Sequence, residues 1–182
     1  TDTNIYLIGD EVYEHMVFDQ HAHTSLCRYD DLYARSFVIS SFGKTYHVTG
    51  WKVGYCIAPE LLSLEFRRIH QYVTFTVNTP VQYGLADFLQ AHPEHHLQLA
   101  DFYQAKRDLF CDLLAPSKFK VKSSTGTYFQ LLDYSEITDE PDHSLAKRWT
   151  EELGIASIPI SVFYQNPQNC THKALRFCFA KD

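Results

Sequence analysis

The residues best suited to chemistry lie in the run Ser40-Ser41-Phe42-Gly43-Lys44-Thr45-Tyr46-His47-Val48-Thr49-Gly50-Trp51-Lys52-Val53-Gly54. One lysine, Lys44, follows a hydroxyl, Ser41, by three residues and precedes a second cation, Lys52, by eight. A lysine attacks a carbonyl only as the free amine, so it needs burial or a neighbouring positive charge to lower its pKa. Lys44, with Lys52 nearby, could have both, and Ser41 with Lys52 could hold a phosphate beside the carbonyl. A lone Ser-x-x-Lys would read equally well as a basic turn leading into a strand.

The elements that must position these groups begin upstream. The apolar run Ile5-Tyr6-Leu7-Ile8 ends at Gly9-Asp10-Glu11-Val12-Tyr13, and the run Phe37-Val38-Ile39 ends at Ser40-Ser41 and delivers Lys44. Ligands of open α/β sheets sit beyond the carboxyl ends of the strands. Two strand ends therefore supply a carboxylate (Asp10), a phenol (Tyr13), a hydroxyl (Ser41) and an amine (Lys44) where a cofactor is expected. Taken singly, Asp10 reads as a turn cap, Tyr13 as a packed aromatic and Arg176 as half of a surface ion pair, which contributes little.

The two segments in this order, and above all Lys44-Thr45-Tyr46-His47-Val48-Thr49-Gly50-Trp51-Lys52-Val53-Gly54-Tyr55, resemble the class I/II, fold-type I aminotransferases that use pyridoxal 5'-phosphate, specifically the methionine and kynurenine branch. The resemblance runs on through Gly126-Thr127-Tyr128-Phe129, Gly154-Ile155-Ala156-Ser157-Ile158-Pro159 and Leu175-Arg176-Phe177-Cys178-Phe179-Ala180. It implies that Lys44 bonds the cofactor's aldehyde and shuttles the proton at the substrate α-carbon. It implies further that Asp10 pairs with the pyridine nitrogen so that the ring can accept electrons, and that Tyr13 hydrogen-bonds the ring's phenolate oxygen. Ser41 and Lys52 would hold the phosphate. Arg176 would grip the substrate carboxylate through two parallel donors. Many aminotransferases have arginine where Lys52 stands; lysine keeps the charge without the bidentate fork, and the methionine and kynurenine branch often carries it. Phe75 resembles an aromatic lent to the partner subunit's substrate pocket, and reads equally as a core phenylalanine.

The implied fold is α/β: part of a mostly parallel sheet from the fold-type I large domain, a long linking helix, and a small α+β carboxyl-terminal domain. The expected boundaries are 1–115 for the large-domain part with the linking helix and 116–182 for the small domain. Punctuation gives the elements. Pro59 opens a helix to about Tyr72, with Leu61, Leu62, Leu64, Phe66 and Ile69 as its apolar positions. Thr79-Pro80 reads as an N-cap and first helical residue of a helix ending before Pro93. One long amphipathic helix is expected from Glu94 to about Leu114. Strands are expected near 53–58, 118–123, 128–134 and 174–180, with a helix from about Asp142 to Leu153 closed by Gly154.

Composition narrows the partners. With 182 residues and 45% hydrophobic content the chain can bury a core, as one domain or two small ones. A net charge of -6 argues against nucleic acid as a partner. No apolar stretch approaches the roughly 20 residues of a membrane span, and the opening residues do not read as a signal peptide. Cys27, Cys56, Cys111, Cys170 and Cys178 are scattered and odd in number, which reads as reduced thiols in the cytoplasm. The dense segment His92-Pro93-Glu94-His95-His96 is broken by proline and has no second ligand pair at zinc spacing, so it reads as a solvated helix start and no metal is expected. His21-Ala22-His23 reads as a loop.

The resemblance also implies that the family's amino-terminal half and final helix lie outside this sequence. That half carries a phosphate-binding loop, a ring-stacking aromatic and an asparagine at the phenolate oxygen. The expected activity of the parent is transamination between an amino acid (methionine, aromatic or kynurenine) and a 2-oxo acid, in a homodimer. The isolated segment is expected to be inactive. A carbon–sulfur β-lyase, and a non-catalytic segment without a complete site, are the competing readings.

Overall fold

A computed structural model describes residues 3–181. The chain divides into two units, one up to Leu99 and one from Ala100 onward. No helix among the described residues is long and apolar enough to cross a membrane.

In the first unit the order is β1 (Leu7–Asp10), α1 (Asp30–Tyr33), β2 (Ser36–Ser41), α2 (Phe42–Thr45), β3 (Gly54–Ile57), α3 (Glu60–Val73) and α4 (Thr79–Ala91). The strands form a sheet in the order β1-β2-β3. β1 runs parallel to β2, with Leu7 opposite Ser36 and Asp10 opposite Ile39. β3 runs antiparallel to β2, with Ser41 opposite Gly54 and Val38 opposite Ile57. Of the two pairings, therefore, one is parallel and one antiparallel; apolar runs alone carry no information on strand direction. The first strand also lies two residues further along than the apolar run Ile5–Ile8, because the ladder to β2 begins at Leu7 and carries Asp10 as its last rung.

Asn78, not Thr79, caps α4: its side chain accepts from the Val81 backbone N–H at 3.2 Å, and Thr79 is already helical. Both residue types cap well, and one position of slippage between them leaves Pro80 within the first turn, where its missing N–H costs nothing. The segment from Glu94 does not continue as one long helix. His95–Gln98 forms a 3₁₀ turn, and the α-helix α5 (Leu99–Leu114) starts only after it.

The second unit contains β4 (Lys120–Val121), β5 (Phe129–Asp133), α6 (Asp142–Leu153), β6 (Ile158–Pro159) and β7 (Ala174–Cys178). All its strand pairings are antiparallel, in the order β4-β5-β7-β6. The two-residue strand β6 was not legible as a separate strand in the sequence. α6 presents Leu145, Ala146 and Trp149 on one face, and these pack with Tyr134, Leu175, Phe119 and Phe177 as the core. Gly154 closes the helix in the left-handed region at φ 66°, where a residue without Cβ is unstrained. Gln130, fully buried on β5, keeps its amide satisfied: its oxygen accepts from Ser124 N and its nitrogen donates to the Lys122 and Leu131 carbonyls.

Gly54 stands close against β2: a Cβ there would stand 2.6 Å from the Ser40 carbonyl oxygen. Gly54→Ala is expected to lower stability by about 1–3 kcal/mol, read as a reduced urea midpoint with an unchanged denaturant slope.

Candidate functional site

The register of the first sheet gathers the groups singled out from sequence. The carboxyl ends of β1 and β2 and the start of the antiparallel β3 coincide, so Asp10, Ser41 and the Lys52–Val53 approach to β3 belong to one end of the sheet. Asp10 ends β1, and its Oδ1 accepts from Val12 N at 3.3 Å, which makes it a turn cap as well. The chain then turns through Tyr13, with Glu14 N donating to Glu11 O and Met16 N to Tyr13 O. Ser41 is the last residue of β2 and caps α2: its Oγ accepts from Gly43 N at 3.0 Å and donates to the Val53 carbonyl at 3.2 Å. Lys44 is half-buried on that single helical turn. Lys52 is exposed and takes the left-handed conformation, φ 57°, two residues before β3. Gly43 allows the turn to close, since a Cβ there would stand 3.0 Å from Thr49 Cα.

Phe75 follows α3 in the left-handed region at φ 65° and is 81% exposed, so it is no core residue of this chain. Arg176 lies in the middle of β7 in the second unit, opposite Leu131 and Ile158. Its guanidinium carbon is 4.1 Å from the centroid of the Phe129 ring and 5.1 Å from that of Phe163. Its Nε is buried without a hydrogen-bond partner. The surface ion pair read from its type alone is thus replaced by a cation held on aromatic faces.

Several supporting residues escaped the sequence reading. Glu14 Oε1 accepts from both Ser40 Oγ and Tyr55 OH at 2.7 Å, so one carboxylate fastens the Tyr13 turn to β2 and β3. Burial pushes the Tyr55 phenol up; the Ser40 hydrogen bond lowers it, and the Glu14 hydrogen bond and charge add to the rise. Glu11 is 8% exposed and accepts from His23 Nε2 and Leu26 N, both at 2.9 Å. Glu11, Glu14 and His23 place one ligand atom each within 4.8 Å of one another, although every Glu11 oxygen already serves a protein donor. No spacing rule links positions 11, 23 and 26, because the loop between them is irregular.

The histidine segment also differs from the solvated helix start read from sequence. His95 Nε2 donates to the Thr45 carbonyl at 3.0 Å, and its ring stacks on Tyr46 at 5.3 Å between centroids. It also meets Phe88 and His47 edge-on. Burial, then the charge of His95, holds His47 below the usual imidazole value. Burial likewise lowers His15, whose ring sits edge-on against His96 at 4.8 Å. The segment packs against the turn that carries Lys44, an arrangement of residues 50 apart that local pattern cannot disclose.

The sequence profile of the family described as "Aminotransferase class I and II" matches residues 1–182. The chain belongs to this family. It is 50% identical over 177 residues to a methionine aminotransferase of Escherichia coli K12, covering 97% of this chain and 45% of that protein. It is 34% identical over 198 residues to a kynurenine–oxoglutarate transaminase of Dictyostelium discoideum, covering 98% of this chain and 46% of that protein. Among solved structures, the E. coli protein YbdL, described as having a methionine aminotransferase function, superposes with a TM-score of 0.94 at 49% identity, over 100% of this chain and 47% of that one. A Thermus thermophilus aspartate aminotransferase variant shares the fold, with a TM-score of 0.82 at 23% identity over 98% of this chain and 45% of that one. The chain spans about half the length of the curated relatives it matches.

Glu11 also sets a pH dependence. Burial pushes its carboxyl up, but the His23, Leu26 and Ser25 hydrogen bonds and the His23 charge outweigh this and hold it below the ordinary value. A carboxyl depressed in the folded state contributes stability that is fully present above about pH 4.3 and is lost as the pH falls through the lowered value. Glu11→Gln is therefore expected to be about 1–3 kcal/mol less stable than the wild type at neutral pH. That difference should shrink as the pH falls below about 4, measured by urea unfolding of both proteins across the range.

Proposed function

We propose that the full-length protein containing this chain is a pyridoxal 5'-phosphate-dependent aminotransferase that exchanges the amino group of methionine, an aromatic amino acid or kynurenine with a 2-oxo acid. The observation that carries this reading is the 50% identity to a methionine aminotransferase across nearly the whole chain. The donor set supports the cofactor. An acid, a phenol, a hydroxyl and two amines at one sheet end match a pyridine nitrogen, a phenolic oxygen, a phosphate and an aldehyde in chemical type.

When bound, the cofactor supplies an electron sink conjugated to the substrate α-carbon. Asp10 would keep the pyridine nitrogen protonated, and Tyr13 would donate to the phenolic oxygen. Lys44 would hold the cofactor through its aldehyde carbon, its amine replacing the carbonyl oxygen with release of water, and would carry the proton at the substrate α-carbon. Lys52 binds the phosphate as a point charge. Ser41 adds a hydroxyl donor once its O–H turns from the Val53 carbonyl it engages here. Arg176 binds the substrate carboxylate through two parallel guanidinium donors.

The protein acts as a homodimer in which the exposed Phe75 enters the partner's substrate pocket. α5 joins a cofactor domain ending at residue 115 to a small domain from 116. A cytoplasmic location accords with five free cysteines.

Borohydride treatment of the full-length holoenzyme, followed by peptide mapping, is expected to fix the pyridoxyl group on Lys44; a label on Lys52 or Lys106 would overturn the assignment. Lys44→Ala should lower turnover by roughly a thousandfold or more, with 2-oxo acid as the wild-type product from methionine. Arg176→Ala should leave the cofactor bound, judged by its visible absorption, and weaken amino-acid binding by about 2–5 kcal/mol.

A further inference from the structure

Asp142 opens α6 and is 7% exposed, yet its two oxygens accept from neutral donors among the described residues. Both are spent on one short turn. Oδ2 accepts from Ser161 N at 2.7 Å, and Oδ1 accepts from Ser161 Oγ at 2.7 Å and from His143 N at 2.8 Å. A carboxylate that takes both the backbone N–H and the hydroxyl of one residue fixes where that residue sits and how it is turned.

Ser161 lies inside the 3₁₀ turn Ile160–Phe163, which follows β6 directly. Two residues on, the Phe163 ring stands 5.1 Å from the Arg176 guanidinium. Phe163 is 63% exposed, so burial does not hold its ring there. The turn sets its backbone, and Asp142 ties that turn to the start of α6. Phe129, from the neighbouring strand, contributes the second ring at 4.1 Å. A guanidinium resting on ring faces keeps its N–H donors in the plane parallel to those faces and off the rings themselves. A carboxylate is matched by two parallel in-plane donors, so the orientation of that plane decides how well Arg176 can receive one.

We infer that Asp142 is a positioning residue for the substrate carboxylate: by clamping Ser161 it keeps Phe163 on Arg176 and so fixes the plane of the guanidinium. The inference rests on the reading of Arg176 as the carboxylate ligand. It predicts an effect on binding of any carboxylate ligand, with little effect on the chemical step.

The test uses the full-length holoenzyme carrying Asp142→Asn, Ser161→Ala, Phe163→Leu or Arg176→Gln. For each, KM and kcat for methionine are measured, together with the Kd of hydrocinnamate, an unreactive carboxylate, by calorimetry, and the melting temperature. Asp142→Asn, Ser161→Ala and Phe163→Leu are expected to raise both KM and Kd by roughly three- to tenfold, with kcat changed by less than about twofold. Phe163→Leu alters an exposed ring and should melt like the wild type, so it decides the matter together with Ser161→Ala if Asp142→Asn does not fold. Unchanged KM and Kd in these three variants, with both raised in Arg176→Gln, would overturn the role of Asp142 and leave the carboxylate ligand in place. Lower kcat and melting temperature at constant KM would make Asp142 purely structural and overturn it equally. Unchanged binding in Arg176→Gln would remove the reading of Arg176 itself.

Discussion

Everything at the candidate cofactor site depends on the placement of β2 between a parallel and an antiparallel neighbour. A parallel partner brings its carboxyl end to the carboxyl end of β2, whereas an antiparallel partner brings its beginning there. The rung Asp10–Ile39 and the rung Ser41–Gly54 therefore lie at the same edge, and the residues just beyond β1, just beyond β2 and just before β3 meet. A one-residue slip in either ladder would turn every side chain of the slipped strand to the other face. The register is held by more than the ladder. Glu11 N donates to Ile39 O, Phe42 N to Val53 O, and Glu14 ties Ser40 to Tyr55. Gly54 permits the backbone contact with Ser40 that a side chain would block.

Two hydrogen-bonded carboxylates, the buried Glu11 and the half-buried Glu14, serve this same end. Glu11 and Glu14 follow Asp10 closely in sequence, but their partners lie on a distant loop and on two other strands. Each spends its charge on fastening the loop that carries Tyr13. The exposed Asp10 is left at the site. In a medium where burying an unpaired carboxylate is strongly unfavourable, such a division between satisfied acids beneath the site and an accessible acid within it is what a preorganised site requires. His95 does the equivalent for the Lys44 turn by engaging the Thr45 carbonyl, one of the acceptors that a single-turn helix leaves without an internal partner.

In the second unit a fully antiparallel sheet places Arg176 on its third strand in spatial order, with Phe129 on the strand beside it and Phe163 on the turn after β6. Strand pairing fixes where the backbone of Arg176 lies. The Phe129 and Phe163 rings then stand over its head group, a separate matter from strand pairing.

The sequence by itself determined the family and the order of the candidate residues along the chain. The run from Ser40 to Tyr55, with Asp10 and Tyr13 before it, identified the family, because the residue types that a phosphate, an aldehyde and a pyridine need are local and closely spaced. It also located α3, α4 and α6, through the apolar positions of α3 and the Pro or Gly that flanks each helix within a dozen or so residues. Tertiary structure alone decided the direction of β3, the existence of β6, the break between the His95 turn and α5, and the partners of Glu11, Glu14, His95 and Asp142. Strand direction and two-residue strands leave no periodic trace, since either is defined only by the neighbour it bonds to. Buried acids and histidines are likewise given their roles by donors and acceptors 12 to 50 residues away, and only the folded backbone brings those within hydrogen-bond reach.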